Sequence, residues 1–213
     1  ATGNNGRGGG FRCTTNSDPI LVNVLISDNT ATQEGGGVFC YNSDPSFVNV
    51  TVSRNVSAIA DGGGLFISTN SNLNLMNTII ASNDSNDIEF SSTGDTSIIT
   101  LLYSNIDGGQ DSIITNDNGT VIWGDGNIDL DPLFMNADSG NYHLSDLSPT
   151  ISAGTDTITI AGVFYTAPNT DLDGNPRPNP AGTVLDMGAY ENENGAGVYN
   201  GPVWYVDASS DLP

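Results

Sequence analysis

Lysine is absent from these 213 residues, and Arg7, Arg12, Arg54 and Arg177 carry all the fixed positive charge against 25 acidic side chains. A surface with a net charge of −21 repels polyanions, and binding a phosphate backbone requires cations that displace its counterions, so nucleic acid is excluded as a partner. The acidity serves solubility and adaptation to a saline medium, or else the binding of divalent cations. Histidine occurs once, as His143, with no serine or cysteine at a recognisable catalytic spacing, which favours a structural role. The two cysteines, Cys13 and Cys40, form no CxxC pair, which sets thiol redox catalysis aside. Long apolar runs are also missing. The longest are strand-length, far below the ~20 residues of a spanning helix, so no membrane-spanning segment is expected. No stretch repeats apolar residues at spacings of three and four over a dozen positions, which leaves no room for an amphipathic helix. No signal peptide is visible, and Ala1 reads as a processed or truncated start.

What the chain has is glycine at a fixed period. Gly8-Gly9-Gly10, Gly35-Gly36-Gly37 and Gly62-Gly63-Gly64 recur every 27 residues, the mark of one supersecondary unit stacked on itself. Inside each unit short apolar runs lie between turn formers. Ile20–Ile26 follows Ser17-Asp18-Pro19, Phe47–Val52 follows Ser43-Asp44-Pro45, and Leu73–Ile80 ends at Ser82-Asn83-Asp84. The repeat is therefore β. Dividing the chain by its period gives roughly eight coils, a rod about 35–40 Å long at the usual strand spacing.

Two rows of asparagine share the period, Asn23, Asn49 and Asn77 in one phase and Asn29, Asn55 and Asn83 in another. Stacked amides can bond to one another along a solenoid and satisfy polar groups at its bends, so both rows are expected to form ladders with a structural role. Cys13 and Cys40 occupy one slot of successive coils, with Ile67 in the next. Direct stacking suits a buried thiol pair better than the dihedral of a disulfide. Of four Asn-x-Ser/Thr sequons, those at Asn49, Asn55 and Asn83 coincide with the rows, which leaves Asn118, in a polar loop, as the glycosylation candidate.

Beyond coil three the period loosens and a series of motifs follows: Tyr103-Ser104-Asn105-Ile106 with Gly108-Gly109, Gly126-Asn127 with Asp131-Pro132-Leu133-Phe134, Tyr142-His143-Leu144, Leu147-Ser148-Pro149, Asp171-Leu172-Asp173-Gly174-Asn175-Pro176-Arg177-Pro178 and Asp186-Met187-Gly188-Ala189-Tyr190-Glu191. The series resembles the choice-of-anchor Q region of right-handed parallel β-helix proteins, with distant similarity to pectate-lyase-like solenoids. The resemblance implies an all-β, right-handed, single-stranded parallel β-helix with an irregular C-terminal region, and a secreted, extracellular or cell-surface location in a prokaryote. It implies no activity. The expected organisation is a β-helix over 1–191, with regular coils over 8–88 and the motif region over 102–191, then a Gly/Asn-rich linker over 192–202 and an extra strand within 203–213.

That extra strand, Val203-Trp204-Tyr205-Val206, has a form that opens the β-helix in the resembling family but here follows the closing motif. Either it begins the next domain of a tandem array, so that the chain is a fragment of a larger surface protein, or it is donated to the first coil of a neighbouring copy. Donation would complete a backbone ladder and bury two aromatics. Repeated head to tail, it builds a filament with the protein itself as partner.

Catalysis is poorly provided for. Arg54 stays charged at ordinary pH and is expected to pair with an acid such as Asp28. Glu34 and Asp61 share one phase before glycine triplets, where a solvated edge is more common than an acid pair. Asp171, Asp173 and Asn175 alternate oxygen donors around Gly174 like the first half of a calcium loop, against the plainer reading of a hydrogen-bonded turn. The resemblance places Asp186 or Glu191 near enough to complete a Ca2+ site. The expected function is a non-catalytic structural or adhesive extracellular subunit; the alternative is a β-helix that binds or degrades extracellular polysaccharide.

Overall fold

The computed structural model describes residues 6–59 and 61–195. Nearly all of it is β, with 3% helix, and parallel strands stack as a β-solenoid of about four turns. Coil one holds β1 (Phe11–Thr14), β2 (Ile20–Ser27) and β3 (Thr30–Ala31). Coil two holds β4 (Val38–Tyr41), β5 (Ser46–Ser53) and β6 (Val56–Ser57). Coil three holds β7 (Leu65–Ser68), β8 (Asn72–Met76) and β9 (Ile79–Ala81). Coil four holds β10 (Ile88–Phe90), β11 (Ser97–Leu102) and β12 (Asn105–Ile106), and β13 (Gly119–Trp123) follows it. One sheet runs β1-β4-β7-β10. A second begins at β2, passes through β5 and ends at β13, and a short third joins β3 to β6.

Register follows the sequence repeat. Leu21, Phe47, Leu75, Leu101 and Trp123 stack as one inward column of the second sheet, and Cys13, Cys40, Ile67 and Phe90 stack in the first. They belong to one continuous core, in which each large side chain removed from water contributes about 1.5–3 kcal/mol. The glycine triplets turn the corner between coils. Gly35 sits at φ 71°, in the left-handed region, and the third glycine makes room for an asparagine: a Cβ on Gly37 would lie 2.9 Å from Asn55 Nδ2.

The expected eight coils are not formed, because the repeat does not continue through the last third of the chain. Residues 131–195 instead turn back along the outward face of the second sheet as a clasp. It contains the antiparallel pairs β14 (Phe134–Asn136) with β15 (Asn141–Leu144), and β16 (Thr157–Ile160) with β17 (Val163–Thr166). Ile160 and Tyr165 cover Val48 and Met76 of the outward column, while Leu144, Ile151 and Met187 cover Ile79. Coil residues with outward apolar side chains thus acquire a second core. No helix among the described residues is long and apolar enough to cross a membrane.

Candidate functional site

The two asparagine rows have different partners. Asn29 Nδ2 donates to Asn55 Oδ1 at 3.0 Å, Asn55 Nδ2 to Asn83 Oδ1 at 2.9 Å, and Asn83 Nδ2 to Asp87 Oδ1 at 2.8 Å. The same amides donate to interior carbonyls, including those of Ile26 and Val52. This row is a ladder inside the coils, and Asp87 ends it as a pure acceptor. Burial pushes the Asp87 carboxyl up to about 6.

Asn23, Asn49 and Asn77 lie in the left-handed region at φ 52°, 54° and 50°, which asparagine tolerates. The resulting kink turns their amides outward to the clasp. Asn23 Nδ2 donates to Thr170 O, Asn49 Nδ2 to Asp186 O and Gly188 O, and Asn77 Nδ2 to Thr155 O, whose own amide returns a bond to Asn77 Oδ1. Only Asn77 and Asn49 also join each other, at 3.3 Å. Further ties run from Tyr142 Oη to Asp28 at 2.6 Å and from Arg54 to Asp28 and Asp138. The clasp therefore spans coils one to three.

At its centre Arg177 is enclosed by Glu191, Asp186 and Asp171, all four buried. Arg177 Nη1 lies 3.2 Å from Glu191 Oε2, and its guanidinium also donates to Asp186 O and Gly188 O. Burial pushes Glu191 up to about 7, aided by Asp186, and Asp186 up to about 6, while lowering Arg177. One cation faces three carboxylates in a dry site, so the geometry depends on the surrounding amides.

The Asp171–Asp186 donors do not converge as a Ca2+ site. Asp171 accepts from the amides of Asp173, Asn175 and Glu191 and from Asn175 Nδ2. Asp173 turns to His143 Nε2 at 2.8 Å, and Asp186 accepts from the amides of Ser152 and Asn192. Among the described residues no group of three or more His, Cys, Asp or Glu is placed to hold a metal.

The other singled-out residues are held locally. His143 bonds to Asn141 and Asp173 and stacks on Tyr190 with ring centroids 4.1 Å apart. Cys13 and Cys40 are free, buried and in register, with Sγ atoms 3.1 Å apart. Asn118 Nδ2, the atom that would carry a glycan, donates to Ser91 O and Thr93 O. Glu34 pairs with Arg7, and burial raises Asp61, with Glu89 and Glu34 adding to the shift. Phe39 and Phe66 stack on the outside of the first sheet, but only 4% and 7% of their surface is exposed, so the pair presents little face to a glycan.

Open features of the surface include one cavity in the clasp and the two solenoid ends. A cavity of about 260 Å3 lies between β15 and the turn at 191–194. Among the described residues, β2 at one end of the solenoid pairs with β5 alone and leaves Ile20 60% exposed, and β13 at the other pairs with β11 alone and leaves Ile122 48% exposed. The Val203, Trp204, Tyr205 and Val206 segment lies outside the described residues. Arg177 is the main residue that sequence reasoning missed; its signal was a single cation, between two prolines, in an otherwise acidic region. No family model, no curated protein and no solved structure matches the chain.

Proposed function

We propose that the chain is a non-catalytic structural or adhesive subunit of an extracellular or cell-surface assembly in a prokaryote, joined head to tail to further copies by its Val203–Val206 segment. The observation that carries this reading is the pair of open solenoid ends. Among the described residues β2 has a strand partner on one edge alone, beside the exposed Ile20 and Val22, and an added strand would complete its ladder and cover them. Charge supports the same polarity. Acidic residues are sparser at the first end, where Arg7 and Arg12 offset most of the charge of Asp18, Asp28 and Glu34, than at the far end with Asp107, Asp111, Asp125 and Asp129, so contact between two far ends is the most strongly opposed. The same ends would suit a unit of a tandem array, with Val203 beginning the next unit.

Negative-stain microscopy of the whole chain beside a chain ending at Gly201 tests the proposal. Filaments that disappear on truncation support strand donation. Monodisperse short rods in both samples overturn self-assembly, and filaments that survive truncation overturn donation as the joint.

A further inference from the structure

We infer that the cavity in the clasp is a binding site for a neutral sugar, a single pyranose or the terminal ring of a glycan. The inference is independent of how copies assemble. The cavity is lined by four carboxamides, Asn175, Asn179, Asn192 and Asn194, together with Asp146, Glu191, Glu193, His143, Leu144 and Met135. Its volume of about 260 Å3 is at the small end of ligand pockets, of a size for one ring rather than an extended chain.

Its wall is fixed before any ligand arrives. Asn192 Nδ2 donates to Leu144 O and Asp146 Oδ1, and Asn192 Oδ1 accepts from the Asn194 amide. Both oxygens of Glu191 are occupied, by the amides of Asn179 and Asp186 and by Arg177. Other groups on the lining are uncommitted among the described residues. The Asn179 side chain and the Glu193 carboxylate have no protein partner, and Asn175 and Asn194 use their Nδ2 atoms but not their Oδ1 atoms. A rigid wall beside free donors and acceptors lowers the ordering cost of binding.

The chemistry of the lining selects the ligand class. The free Asn179 carboxamide both donates and accepts, as a sugar hydroxyl does, and the open Oδ1 atoms of Asn175 and Asn194 accept from further hydroxyls, a mixed set that matches a polyol better than an ion that needs one kind of group. Met135 and Leu144 supply an apolar patch for the C–H face of a ring, the thioether adapting its shape. The Asp146 and Glu193 carboxylates on the lining repel uronates, sulfates and phosphates. His143 and the lining acids are not placed as a group of three that could hold a metal ion among the described residues.

The test is an NMR titration of the whole chain with cellobiose, maltose, lactose and chitobiose, with digalacturonate and calcium chloride as controls. At least one neutral disaccharide should give saturable shifts in the side-chain amides of Asn175, Asn179, Asn192 and Asn194, with digalacturonate and calcium silent there. Asn179→Ala keeps the backbone bond to Glu191 and should weaken that binding about fivefold, the worth of one hydrogen bond. Glu193→Ala, at an exposed side chain, provides a second variant with a loss of about twofold or more expected, roughly half a hydrogen bond's worth. No saturable shift at about 20 mM of any neutral sugar, a weaker limit than most functional sites show, would overturn the inference. Equal binding of digalacturonate, a response to calcium alone, or unchanged affinity in both variants would overturn it too.

Discussion

In the coils the asparagines of the inner row repeat from one level to the next, whereas in the clasp each buried charged side chain is used once. Asn29, Asn55 and Asn83 make the same bonds at successive levels, to an interior carbonyl and to the next amide, and all are neutral until Asp87. The clasp instead buries Arg177, Asp171, Asp186 and Glu191 together, each with its own partners. A repeated neutral network spreads the loss of one member over its neighbours. A charged hub concentrates it, because removing one partner strands the others in a low-dielectric site. The molecule thus joins a redundant rod to a cover held by a few residues that nothing duplicates.

The sharpest way to break this contrast is Arg177→Met. It leaves three buried carboxylates with no cation and should cost about 3–5 kcal/mol, the usual penalty for breaking a buried pair. Hydrogen exchange should show where the loss falls. Amides of residues 140–191 should lose protection while β4, β5 and β7 keep theirs; uniform loss across both regions would mean that clasp and coils open as one unit.

Asn55→Ala makes the reciprocal break. Asn55 donates to Ile26 O, Ser53 O and Asn83 Oδ1, and accepts from Asn29. Its loss should cost about 2–3 kcal/mol, since some stranded carbonyls keep strand partners. Urea unfolding should show the coils failing together, with the clasp released in the same transition because its platform has gone. A clasp that stayed protected while the coils frayed would reverse the order of dependence.

Legibility in the sequence follows the same division. The glycine triplets, the cysteine register and the two asparagine phases could be read because a solenoid writes each contact several times at a constant interval. Asn23 and Asn29 differ only in where their amides point. Both rows share a period, and the outward row's partners lie more than 130 residues away for Asn49. The eight-coil expectation failed because a mean period was extended over residues that carry no repeat. The Asp171–Asn175 turn has two meanings for a related reason: alternate oxygens around a glycine suit an ion or backbone amides equally.

Acidity offers the mildest test of the comparison, because it loads the two regions unequally. Burial lifts Asp186 to about 6 and Glu191 to about 7 in the clasp, against Asp87 at about 6 and a raised Asp61 in the coils. Each value lies above the group's ordinary one, so the folded state binds these protons more tightly than the unfolded chain does. The resulting stability is fully present below about pH 4 and is lost as pH rises through 6 and 7. Clasp protection should therefore be greater at pH 5 than at pH 8 by about 2 kcal/mol, with a smaller change in the coils. Repulsion among the surface acids of a chain with net charge −21 acts in the same direction, but salt screens it and leaves buried groups largely untouched. Glu191→Gln removes the upper titration, so at high salt the variant should be flatter than the parent between pH 6 and 8. A parent that is equally flat there would show that the buried hub does not set the pH response of the clasp.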